Sequence, residues 1–116
     1  GRVLVLYVPG PGWPFRAAAG WVWWSGIRDD AFNGWWNCSF FRNESDYQSS
    51  ALILGAVAIV RDKWGDPPFG LDTYVWPAKL RSPRPGACYR IAGWYRGGWS
   101  KDGQKQRLYL PVSELR

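Results

Sequence analysis

Histidine and methionine are absent from the 116 residues, cysteine occurs twice, and nine acidic residues face fifteen lysines and arginines. Without histidine, imidazole-based triads are excluded. A zinc site would have to be assembled from Cys38, Cys88 and carboxylates, a poor donor set, so no metal is expected. The longest apolar run, Ala51–Val60, is about half of what a bilayer crossing needs, so no membrane partner is expected. No secretory pattern opens the chain at Gly1-Arg2. The expected compartment is therefore a reducing cytoplasm with two free thiols, although a Cys38–Cys88 bridge stays open at this level. The absence of an initiator methionine leads one to expect trimming or a fragment of a longer chain. Asn37-Cys38-Ser39 and Asn43-Glu44-Ser45 fit the glycosylation pattern only by coincidence under that reading.

What is abundant is aromatic. Ten tryptophans in a chain that is 47% hydrophobic exclude disorder and predict one domain with a real core. A buried indole N–H requires a partner. Ten indoles are therefore expected to fill more than the core, with some lining a groove or a subunit interface, and a homodimer through exposed Trp is one expectation.

Charge is uneven as well. Between Pro77 and Arg107 stand Lys79, Arg81, Arg84, Arg90, Arg96, Lys101, Lys105 and Arg107, against the single acid Asp102. Either this is a solvated basic face or it is a surface for phosphates. Tyr89, Trp94, Tyr95 and Trp99 interleave with it and supply the stacking groups that nucleic-acid binders use. Lys79, Arg81, Arg84 and Arg90 are the candidate nucleic-acid contacts.

Along the chain, Val3–Val8 reads as a strand stopped by Pro9-Gly10-Pro11-Gly12. Trp21–Trp24 and Trp35–Phe41 read as two further strands, joined through Gly26–Gly34. Ala51–Val60 is apolar all round, and periodicity alone leaves helix and strand open. Length favours a helix: with Ser49 or Ser50 as N-cap and Gly65 after its end, the segment far exceeds an ordinary strand. Ile53, Val57, Val60 and Trp64 form its buried stripe. Leu71–Trp76 reads as a strand, Leu80–Gly86 as a basic loop, Ala87–Ala92 as a short helix and Leu108–Leu110 as the closing strand. The expected class is α/β (α+β): a mixed sheet in the order β-β-β-α-β-α-β, with a parallel strand–helix–strand crossover.

Two pieces carry a resemblance. One is the strand–turn–helix of Trp35–Gly65; the other is Pro85-Gly86-Ala87-Cys88-Tyr89-Arg90-Ile91-Ala92-Gly93-Trp94. Together they resemble the C-terminal two-thirds of the GNAT acyltransferase fold. Asn43-Glu44-Ser45, followed by a small-residue helix start and the basic return loop, is similar to the phage Mom-like DNA-modification proteins, GNAT-fold enzymes that alter adenine. The resemblance spans about residues 20–112 and implies a single, N-terminally reduced domain. It implies an acetyl-CoA or other acyl-CoA donor bound at Phe40, Phe41, Arg42, Gln48, Ser49 and Ser50. It also implies Tyr89 as the acid that protonates the leaving thiolate, Glu44 as a base for the acceptor amine, and Asn43 as a reader of an adenine edge. If the chain is phage-encoded, the compartment implied is the host cytoplasm. Where the family has a glycine-rich pyrophosphate turn, this chain has Tyr47 and Ser49 at the glycine positions. That departure keeps a second reading alive: a non-catalytic, Trp-rich nucleic-acid-binding module on the same scaffold.

Overall fold

The computed structural model describes residues 1–80 and 84–115. Alternating or continuous apolar stretches form strands β1 (Arg2–Pro9), β2 (Ala17–Ser25) and β3 (Trp35–Asn43), each antiparallel to its neighbour. Helix α1 (Ser49–Trp64) follows, and the chain returns as β4 (Gly70–Val75), parallel to β3. The single helix between two parallel strands is the crossover that the spacing predicts. A 3₁₀ turn at Pro77–Lys79, helix α2 (Ala87–Ile91), strands β5 (Tyr95–Trp99) and β6 (Gln106–Pro111), and a 3₁₀ turn at Val112–Leu115 complete the chain. The six strands form one mixed sheet in the order β1-β2-β3-β4-β6-β5. No helix among the described residues is long and apolar enough to cross a membrane.

Two expectations change. The order is β-β-β-α-β-α-β-β, because Tyr95–Trp99 is a strand rather than loop. Its adjacent Gly97 and Gly98 carry little strand propensity. They sit in an irregular stretch between the pairs Arg96↔Leu108 and Trp99↔Gln106, where the register shifts. The cap of α1 also differs. Gln48 occupies the N-cap position and makes no side-chain cap bond, whereas Ser49 and Ser50 lie inside the helix. At the other end Gly65, at φ 80°, closes the helix as expected, its N–H bonded to the Arg61 carbonyl.

Both helices lie on one face of the sheet. The predicted stripe holds: Ile53, Val57 and Val60 are buried, and Trp64 packs edge-on to Trp36. Trp21, Trp23, Trp36 and Trp94 are core residues, and Trp23 donates its indole N–H to the Ala56 carbonyl at 3.0 Å. Trp13 and Trp99 are exposed, and Trp24, Trp35, Trp64 and Trp76 are half-buried, so the core takes four of the ten indoles. Both cysteines are free thiols.

Candidate functional site

The ladder between β3 and β4 runs from Trp35↔Gly70 to Cys38↔Thr73 and stops there. Beyond that point β3 continues to Asn43 beside β2, and β4 to Val75 beside β6. Two parallel strands thus separate at Cys38 and Thr73, and the Thr73 hydroxyl donates to the Cys38 carbonyl at 2.9 Å just where ladder bonds run out. Into this fork α2 sends Tyr89. Its hydroxyl lies 4.0 Å from the Cys38 sulfur, and its ring packs against Phe41, Trp21 and Trp94. Burial, with the Cys38 thiol beside it, raises the Tyr89 pKa well above that of free tyrosine. Burial likewise pushes Cys38 up to about 12, so a phenol and a thiol, both neutral, line the fork at pH 7.

The opposite face of the same fork opens into a hollow of about 720 Å³. Asn37, Ser39, Tyr74, Trp76, Asp30 and Lys105 are among its walls. Beneath it lies Asp72, wholly buried in β4. Asp72 accepts from Arg28 at 2.8 and 3.0 Å, from Asn37 at 3.1 Å and from Arg107 at 3.0 Å, which satisfies a charge that burial alone would not tolerate. Arg107 is in turn boxed by Phe32, Trp35 and Tyr109, its guanidinium carbon 3.5, 4.5 and 5.2 Å from their ring centres. Arg28 reaches across from the β2–β3 connection and also binds Asp30. This network ties that connection to β4 one residue before the strands part. Burial would raise Asp30, but bonds from Arg28 and the Phe32 N–H overrule it and hold the carboxyl below its usual range. Burial and the neighbouring Asp30 and Asp72 carboxylates raise Tyr74.

The turn from β3 to α1 is closed by its own side chains. Asn43 donates to the Tyr47 carbonyl and the Ser49 hydroxyl, and accepts from the Ser45 N–H and hydroxyl. It is the organiser of an Asx-type turn. Glu44 accepts from Arg16 and Arg42. Those bonds, Arg16 first, lower its pKa, the opposite of what a general base for an amine requires. Among the described residues neither Asn43 nor Glu44 bonds to Tyr89. Phe41 touches Tyr89, Phe40 is half-exposed on the sheet, and Arg42 is exposed. Gln48 leaves the first turn of α1 without a side-chain cap. Tyr47 is exposed rather than lodged in the fork.

The basic segment splits into two groups. Lys79 and Lys105 both lie over Trp76, at 5.1 and 5.2 Å from its ring centre, on the rim of the hollow. Arg84, Arg90 and Arg96 line a separate groove of about 600 Å³ beside α2. Within it Arg90 donates to the Trp94 carbonyl at 2.6 Å, and Arg96 to the Pro85 carbonyl and to Gln106. Arg81 lies outside the described residues.

No known family model, curated protein or solved structure matches this chain.

The fork therefore gathers Tyr89, Phe41 and Cys38, and the groove gathers Arg84 and Arg90, whereas Asn43 and Glu44 stand apart in the turn. Sequence reasoning missed the Asp72 network. Its signal was an aspartate set inside the apolar strand Leu71–Trp76, where a charge survives only with partners. Arg28 and Arg107 are distant in sequence, and no spacing rule joins them to it.

Proposed function

We propose that the chain is a GNAT-like, acyl-CoA-dependent transferase of the Mom-like type, acting on a nucleic-acid base or another amine. The carrying observation is the fork: two parallel strands that part at Cys38 and Thr73, with Tyr89 delivered to the opening by the helix that follows. The position of β6 between β4 and β5, and the helix α1 that joins the two diverging strands, support the same reading. Bound acyl-CoA would supply an activated thioester. The residues present fit that donor in part. The uncapped start of α1 offers N–H groups to an anion, and Tyr47 stays clear of the fork. Against that, the side chain of Asn43 occupies the turn through its bonds to Tyr47 and Ser49.

Tyr89 has the protonation state that the role requires. Its raised pKa keeps the phenol neutral at pH 7, ready to donate a hydrogen bond to a sulfur as it gains charge. The hollow on the far side of the fork receives the acceptor, with Trp76 as a stacking surface and Lys79 and Lys105 beside it for phosphate. Acetyl-CoA or CoA at millimolar concentration is expected to raise the melting temperature by several degrees. Tyr89→Phe is expected to keep that shift and to lower amine acylation roughly a hundredfold. No shift with either ligand refutes the donor assignment.

One observation favours the second reading. Tyr89 is only 6% exposed, roofed by Trp21, Phe41 and Trp94, as in a fork closed by aromatics and used for binding alone. In that case nucleic-acid binding persists while CoA ligands leave the melting temperature unmoved.

A further inference from the structure

We propose that Asn37 and Ser39 are the specificity-determining residues of the hollow, and that they select an unpaired nucleobase with an amino group beside an unprotonated ring nitrogen. The inference deepens the reading given above and rests on it for placing the acceptor in the hollow.

Asn37 and Ser39 stand two positions apart on β3, and both line the hollow where the strands part. The two ends of an asparagine amide are alike in shape and opposite in chemistry, one accepting and the other donating. In Asn37 the neighbours decide which end is which. Its Nδ2 lies 3.1 Å from Asp72 Oδ1, its cross-strand partner in the ladder. That carboxylate also receives Arg28 and Arg107, and it offers acceptors only. Turning the amide over would set oxygen against oxygen inside the protein, where nothing screens the repulsion. The buried network therefore fixes Oδ1 on the side of Ser39, whose hydroxyl donates to it at 3.3 Å. This bond is long, and Ser39 is exposed, so the hydroxyl is free to turn to another partner.

The pair thus presents a fixed acceptor beside an adjustable donor. An amino group satisfies the first, and an unprotonated ring nitrogen satisfies the second. Cytosine and adenine carry both on one edge. Uracil and thymine place a carbonyl oxygen where cytosine has its amino group, so that oxygen would face Asn37 Oδ1 with no proton between them.

The remaining walls suit a neutral ring whose phosphate stays outside. Asp29 and Asp30 balance Lys101 and Lys105 around the hollow, so an anion gains little from entering it. Lys79 and Lys105 lie 5.1 and 5.2 Å from the ring centre of Trp76. A base that stacks on Trp76 displaces one of these ammonium groups onto its own phosphate. The volume, about 720 Å³, is that of a small-molecule pocket, which admits an unstacked base and not a duplex.

The test is fluorescence anisotropy with labelled single strands of about twelve nucleotides, one of deoxycytidine and one of deoxyuridine. Mildly alkaline pH keeps the cytosines neutral. The two strands match in charge and nearly in shape, so backbone contacts cancel in the ratio of their affinities. The parent is expected to bind the cytosine strand about tenfold more tightly. Asn37→Leu is expected to bring the ratio close to one while leaving affinity for the uracil strand at the parent level or above. Ser39→Ala, at an exposed position, is expected to fold like the parent and to lower the ratio about threefold; it decides the matter if Asn37→Leu fails to fold. Equal affinity of the parent for the two strands overturns the proposal. So does binding of neither strand, and so does a cytosine preference that both variants retain in full. No CoA ligand enters this assay, so the two readings fail separately. A cytosine preference in a chain that ignores CoA keeps the hollow and removes the transferase, whereas amine acylation with equal affinity for both strands does the reverse.

Discussion

Asp72 is the residue on which the region of the fork depends. It is fully buried, and three donor groups, one each from Arg28, Asn37 and Arg107, make four hydrogen bonds to it. Removing the carboxylate leaves two guanidinium groups facing each other inside the protein. Asp72→Ala is therefore expected to cost about 3–5 kcal/mol in urea unfolding, and Asp72→Asn less, since an amide oxygen still accepts. A loss under 1 kcal/mol for the alanine variant would show that water replaces the carboxylate. Glu44 makes a milder prediction of known sign. Arg16, then Arg42, lower its pKa, so its contribution is present above the unfolded carboxylate range near pH 4 and fades as pH falls through the lower folded value. Melting curves of the parent and of Glu44→Gln are expected to differ slightly at pH 7 and to converge below pH 3 or so. A gap that widens on acidification reverses the assignment. Asn43 and Glu44 were legible as turn residues from their place between strand and helix. Their separation from Tyr89 was not, because it depends on which arginines fold back over the turn.

At the scale of elements, the short β3–β4 ladder is what makes a fork. Gly70 starts it. At φ 155° it lies in the region open to glycine, and a Cβ there would strike the Leu110 carbonyl and the Trp35 ring. Gly70→Ala is expected to lose at least about 2 kcal/mol by denaturant unfolding, because overpacking and a forbidden dihedral add. Retention of full stability would mean that β4 starts later than Gly70. Helix α1 and strands β1 to β4 were readable from hydrophobic runs, turn residues and length. β5 was not: Tyr95-Arg96-Gly97-Gly98-Trp99 has poor strand propensity and becomes a strand only because β6 offers it a ladder.

At the scale of the whole molecule, basic charge gathers in the last third of the chain, the apolar surface lies across the sheet at β1, and the aromatic core lies between them. If the groove beside α2 and the rim of the hollow at Trp76 both meet phosphates, DNA or RNA binding should weaken steeply with salt. Arg84→Ala together with Lys79→Ala should then lower affinity across all sequences and flatten the salt slope by about two. Binding indifferent to salt removes nucleic acid as the partner. The sequence by itself determined the class of fold, the crossover, the buried stripe of α1 and the concentration of positive charge, because periodicity, length and composition are local properties. Tertiary structure alone decided where β3 and β4 part, that Tyr89 enters that gap beside Cys38, that Asp72 finds Arg28 and Arg107, and that β1 is the outermost strand on its side of the sheet among the described residues. Each of these depends on contacts between residues far apart in the chain, and no local pattern encodes how a sheet closes or where it stops.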